Sequence, residues 1–178
     1  MIYLVAGHNA LDSDAIGVGG IKESELTMEL RDKIAYFVTL KGYNVVLDND
    51  YDNLNQIIFN IESNEKDVIC DIRFNTGVPI VTGTEVIIPD RSTSEERMIA
   101  SLICSEIAVS MQIKSRGVKS EKDTARKKLA IMNPSGINLL LEVCFITNKN
   151  DLKEYQSKKD EIAEKIAKRL ITAEDLNK

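Results

Sequence analysis

The sequence predicts an α/β fold: a single domain with a mostly parallel, twisted sheet and helices on both faces. Two observations carry that reading. Short apolar runs suited to buried strands alternate with longer stretches of helical periodicity. The polar residues that interrupt the pattern, His8, Arg73 and Glu142, fall at or near strand ends, where open α/β sheets place their sites. A chain of 178 residues, 43% of them hydrophobic, has enough apolar surface for one core and too little for two ordinary domains. Residues 1–178 are therefore read as one unit, without repeats or low-complexity tracts.

The elements follow in order. Ile2 to Ala6 is a continuous apolar run ending at Gly7-His8, a buried first strand. Leu26, Leu30, Ile34, Phe37 and Val38 recur at helical spacing, so a helix is expected over about Ser24 to Lys41, with Gly42 placed to end it. Asn44 to Leu47 is a short strand, and Leu54, Ile57, Ile58 and Ile61 form the next helical stripe. Val68 to Phe74 and Glu85 to Ile88 are strands, the latter closed by Pro89. Ser92-Thr93-Ser94-Glu95 has the Ser-x-x-Glu form of a capping box and opens a helix carrying Met98, Ile99, Leu102, Ile103, Ile107 and Met111. Ile137 to Phe145, apolar except for Glu142, is a central strand, and a last helix presents Ile162, Ile166 and Leu170 on one face.

Net charge −5 and a pI of about 5.1 argue against a nucleic-acid partner, because phosphate binding needs clustered Lys and Arg. Charges such as Lys158-Lys159-Asp160-Glu161 are mixed in sign and read as a solvated helix face. Cys70, Cys104 and Cys144 are widely spaced within apolar runs, which suits buried free thiols in a reducing compartment. The start, Met-Ile-Tyr-Leu-Val-Ala-Gly-His, is a strand rather than a secretory signal, and no apolar run approaches the roughly 20 residues that span a bilayer. The expectation is a protein made in the cytoplasm, without a membrane span.

His8 is the one histidine in the chain. Alone, a histidine at a strand end is more often a hydrogen-bonded structural residue than a ligand. Its neighbours change the weighting: Asp12-Ser13-Asp14-Ala15-Ile16-Gly17 and then Gly20-Ile21-Lys22-Glu23 lead into the first helix. Further on come Asp67 to Asn75 (DVICDIRFN), Gly83-Thr84-Glu85-Val86, Arg116-Gly117-Val118-Lys119 and Leu139 to Asn148 (LLLEVCFITN), with Asp151 beyond. In this order the segments resemble the zinc-dependent N-acetylmuramoyl-L-alanine amidases, from the first strand to the last helix. The resemblance implies His8 and Glu23 as zinc ligands and Glu142 as the acid/base that moves a proton between water and the leaving amine. Without it, Glu23 would be read as an acid complementing a helix dipole. Glu142 would be a buried ion-pair partner, although a lone carboxylate in an apolar strand is costly without a purpose.

One position departs from the pattern. The third ligand implied by the resemblance is a histidine where this chain has Arg73. Arginine stays protonated and has no lone pair for a metal. Unit charges about 4 Å apart interact by about 4 kcal/mol at an effective dielectric near 20, so a divalent ion doubles the repulsion. Three arrangements are open. Zinc binds with a substitute ligand, Asp71 or Cys144, each sharing a strand face with a site residue by the i, i+2 rule. The guanidinium fills the metal's place, paired to Glu23, Glu142 or both. Or the arginine is an introduced change.

The resemblance implies a peptidoglycan amide hydrolase that cuts between the lactyl group of muramic acid and L-alanine, most like the phage-type enzymes. Such a protein would reach the wall through lysis machinery or a virion, since no wall-binding repeat is attached. The rival is a non-catalytic scaffold with a binding or structural role, and a weaker third reading is a zinc peptidase or deacylase acting on another amide.

Overall fold

The computed structural model describes residues 1–10 and 15–176. Asp12, Ser13 and Asp14 of the first motif lie outside the described residues. Six strands form one sheet: β1 (Ile2–Ala6), β2 (Val45–Leu47), β3 (Val68–Asn75), β4 (Thr84–Ile88), β5 (Ser115–Ser120) and β6 (Ile137–Phe145). Their spatial order is β2-β1-β3-β6-β4-β5. Every neighbouring pair is parallel except β4 against β6. That reversal brings the start of β4 beside the far end of β6, so Glu85 is the cross-strand partner of Glu142.

Coverage of the two faces is unequal. The helices α1 (Glu23–Leu40), α3 (Ser94–Met111) and α4 (Lys149–Leu176) pack over one face and enclose the main core. Ile2, Leu4, Cys70, Ile72, Leu139 and Leu141 point into that core from the strands. On the other face Val5, Ile87 and Leu140 meet Ile57 of the short helix α2 (Leu54–Asn60) and Ile131 and Met132 of the 3₁₀ turn Ala130–Met132. A sheet half-covered on one side leaves room for a cleft there.

The strand and helix positions agree closely with the sequence pattern, and the differences are instructive. The capping box of α3 is Thr93 with Glu96, one residue later than Ser92-x-x-Glu95. Both frames are legal in this serine- and glutamate-rich stretch. The observed frame wins because Glu96 also accepts the Asn138 N–H with its second oxygen (3.0 Å), tying the helix start to β6. The Arg116-Gly117-Val118-Lys119 segment is the edge strand β5, with Gly117 at φ 80° in a conformation that favours glycine.

Candidate active-site cleft

The site is assembled from the ends of β1, β3 and β6 and the first turn of α1. The Gly7 N–H donates to the Ile72 carbonyl at 2.9 Å, carrying β1 pairing one residue past the strand. The Thr27 hydroxyl donates to the His8 carbonyl at 2.7 Å and so anchors the loop to α1. Glu23, the first residue of α1, is buried, and its Oε1 accepts the Phe74 N–H at 2.9 Å. The same oxygen is 4.0 Å from His8 Nε2. His8, Glu23, Arg73 and Glu142 thus meet on one side of the sheet, as the strand ends predict.

Arg73 and Asp71 sit on the same face of β3, two residues apart. Arg73 Nε donates to Asp71 Oδ2 at 2.9 Å, and Nη1 lies 3.4 Å from His8 Nε2. The expected pairing of Arg73 with Glu23 or Glu142 is therefore corrected: its ion-pair partner among the described residues is Asp71. Glu142 stands across the ladder as the register partner of Arg73 and acts through charge alone. The reason is local. Asp71 is 1% exposed, already on the right face and within reach of the guanidinium, while Oε1 of Glu23 accepts the Phe74 N–H.

Gly7 makes the arrangement possible. A Cβ there would stand 2.6 Å from Arg73 Cγ and 2.7 Å from Asp71 Oδ1, so the pair packs directly over the β1 backbone. Asp71 Oδ1 and Glu142 Oε2 are buried oxygens with no hydrogen-bond partner. Burial pushes the Asp71 carboxyl up against the pull of Arg73. Burial also raises Glu142, to about 8, with Arg73 opposing and Glu23, Glu85 and Asp71 adding to the rise. Asp71 in turn raises the Arg73 guanidinium.

Cys144 is not on the face of Glu142. A register shift between β3 and β6 sets Arg73 opposite Glu142 but Asn75 opposite Phe145, so β6 carries an extra residue there. The bulge turns Cys144 into the main core beneath the long helices, fully buried, and removes it as a substitute ligand. Burial also pushes its thiol well up. Cys70, Cys104 and Cys144 are all free and buried, as their apolar settings suggested. Asp151 is likewise structural: its carboxylate accepts from the Thr82 hydroxyl and from the Gly83 and Phe145 N–H groups at 3.1 Å each, clamping β4 and β6 to the start of α4.

A metal-dependent site needs three lone-pair donors around one point. The described residues offer two, His8 Nε2 and Glu23 Oε1, and the guanidinium of Arg73 stands in the space beside them. Asp71 is spoken for by that guanidinium. Among the described residues no group of three His, Cys, Asp or Glu side chains is placed to hold a metal ion. The donor set does not fit zinc.

Residues 2–172 match the family model described as N-acetylmuramoyl-L-alanine amidase. The chain belongs to that family. A curated relative from Bacillus subtilis (strain 168), the uncharacterized protein YqiI, is 30% identical over 166 residues, spanning 88% of this chain and 78% of that one. Among solved structures, an N-acetylmuramoyl-L-alanine amidase from Clostridium difficile 630 superposes with a TM-score of 0.81 at 20% identity, covering 98% of this chain and 96% of the other. The amidase AmiC2 of Nostoc punctiforme gives 0.78 at 22% identity, over 96% and 94%. The catalytic domain of an endolysin targeting Clostridia Difficile gives 0.76 at 21%, over 96% of each chain. At these identities the structural likeness establishes the fold. The family is generally zinc-dependent and acts on peptidoglycan, and its membership supports peptidoglycan amide hydrolysis as the reaction class. No helix among the described residues is long and apolar enough to cross a membrane.

Proposed function

We propose that the chain engages peptidoglycan at the amide between the muramic acid lactyl group and L-alanine, and that with Arg73 in place it holds this amide without cutting it. The family match supports the ligand class, and one observation carries the rest: Arg73 Nη1 sits 3.4 Å from His8 Nε2, where a metal would otherwise share that nitrogen. A guanidinium is itself a good partner for an amide or lactyl oxygen, since its N–H groups donate charge-assisted hydrogen bonds. The Arg73–Asp71 pair fixes that fork in the cleft rather than on a mobile stem.

The hydrolase reading stays alive through Glu142. Its Oε2 is unpartnered, and its proton is held to about 8, which suits a general acid near neutral pH. That reading would require Asp71 to part from Arg73 and supply a third lone pair beside His8 and Glu23, an arrangement that the described residues do not contain. Delivery to the wall through a phage lysis system or virion belongs to the same proposal.

Purified sacculi separate the readings. The binding reading expects the chain to sediment with sacculi while no new amino-terminal alanine appears. Release of alanine amino termini by the native chain, abolished by a chelator, would establish the hydrolase instead. Absence of any sedimentation and any release would defeat the peptidoglycan assignment altogether.

A further inference from the structure

The segment Arg116 to Lys128 carries six basic and two acidic side chains in a chain of net charge −5. It forms β5 and the turn beyond it, and residues from Lys119 to Lys128 line a cleft of about 670 Å³ that Arg73 and Glu142 also line. Four cations line this cleft: Arg73, Lys119, Arg126 and Lys128. Two are committed, Arg73 to Asp71 at 2.9 Å and Lys119 to Glu85 at 2.6 Å. Arg126 and Lys128 are exposed and make no ion pair with any described residue.

The acids of the wall are used internally. Glu85 Oε2 takes both Arg116 Nε and Lys119 Nζ at 2.6 Å. Glu121 accepts the Leu129 N–H at 2.8 Å and the Asp90 N–H at 3.3 Å, and Asp123 caps the turn at Ser120. None of them forms an ion pair with Arg126 or Lys128. The turn that presents these two is tightly made. Lys127 between them adopts φ 57°, uncommon for a residue with a side chain, and its N–H donates to the Thr124 carbonyl at 3.1 Å. Lys127 does not line the cleft, whereas the residues on either side do. Leu54, Ile87, Ile131 and Leu140 supply apolar lining beside them.

We propose that Arg126 and Lys128 read a free carboxylate on the peptide of a bound muramoyl peptide, while the apolar lining takes its methyl groups. This inference rests on the peptidoglycan reading and narrows it to ligands with an acidic second residue. Two free cations against an otherwise acidic chain match one or two carboxylates, and the overall charge disfavours a long polyanion. Charge-assisted hydrogen bonds from a guanidinium and an ammonium discriminate a carboxylate from its carboxamide, and salt weakens that discrimination because both side chains are exposed.

The test is calorimetric titration of the full chain with N-acetylmuramoyl-L-alanyl-D-glutamic acid and with its diamide. The acid is expected to bind about tenfold tighter at low salt. Arg126→Gln with Lys128→Gln is expected to reduce that preference to about twofold or less, while Lys127→Gln preserves it. Unchanged melting temperatures confirm that these exposed substitutions leave the fold intact. Equal affinity for acid and diamide would overturn the carboxylate reading and leave peptidoglycan binding standing. So would a Lys127→Gln loss as large as that of the pair. Binding of neither compound would overturn both.

Discussion

Asp71→Asn isolates the interaction that shapes this site. The substitution keeps the size of a side chain that is 1% exposed but removes the charge beside Arg73 Nε at 2.9 Å. Arg73 is a fifth exposed, so its guanidinium would be left mostly buried, with His8 Nε2 3.4 Å from Nη1 as its near neighbour. Breaking one side of a buried pair costs about 3–5 kcal/mol, and partial solvent access at Arg73 brings the expectation down to about 2–4 kcal/mol. For a domain of this length that is a fall in melting temperature of roughly 5–15 °C. Arg73→Met alone strands the Asp71 carboxylate, which burial already disfavours, so it should cost a similar amount. The double variant Asp71→Asn/Arg73→Met removes both charges and should recover much of the loss, giving a coupling energy of about 2 kcal/mol or more. Urea unfolding followed by far-ultraviolet circular dichroism measures all four corners of this cycle. A coupling below about 0.5 kcal/mol would mean that the pair is screened like a surface bridge, and the argument that Arg73 is locked in the metal's place would fail.

Glu142→Gln should flatten the pH dependence of stability. The native protein holds this proton to about 8 against an ordinary value of 4.5, so the group's contribution is complete below 4.5 and is lost as pH rises towards 8. The ceiling on that loss is about 5 kcal/mol, and a native unfolding midpoint unchanged between about pH 5 and 8 would contradict it. Gly7→Ala should destabilise by about 1–3 kcal/mol, because its Cβ would meet the stem of Arg73 at 2.6 Å. A variant as stable as the parent would show that the stem yields freely. Alkylation without reductant should be slow at Cys70, Cys104 and Cys144 in the folded chain and complete at all three in denaturant, read by mass spectrometry. A denatured chain taking up fewer than three adducts would point to a bridge.

Much of this fold was legible because its four inner strands are almost wholly buried and three of its helices are long. Ile2 to Ala6 and Ile137 to Phe145 are apolar enough to mark β1 and β6 to the residue. β5 was less visible: Ser-Arg-Gly-Val-Lys-Ser alternates weakly and lies at an edge, with Ser115 exposed and the rest half-buried. The antiparallel placing of β4 against β6 has no local signature, yet it brings Glu85 to Glu142. At the site, the arginine's misfit with a metal followed from its chemistry alone. Its partner did not, since the choice among Asp71, Glu23 and Glu142 depends on which carboxylate the backbone has already claimed. The bulge in β6 was equally silent, and one extra residue sends Cys144 to the opposite side of the sheet. The basic wall was missed because its six cations are spaced over Arg116 to Lys128, and a strand with a tight turn is needed to gather Arg126 and Lys128 at the cleft.

The metal content of the purified chain tests the account most directly. After incubation with zinc and removal of unbound ion, elemental analysis should find far less than one zinc per native chain. Arg73→His, which restores a lone pair beside His8 and Glu23, should bring the value towards one. Stoichiometric zinc in the native chain would contradict the account and turn attention to Asp71, whose alanine variant should then lose the metal.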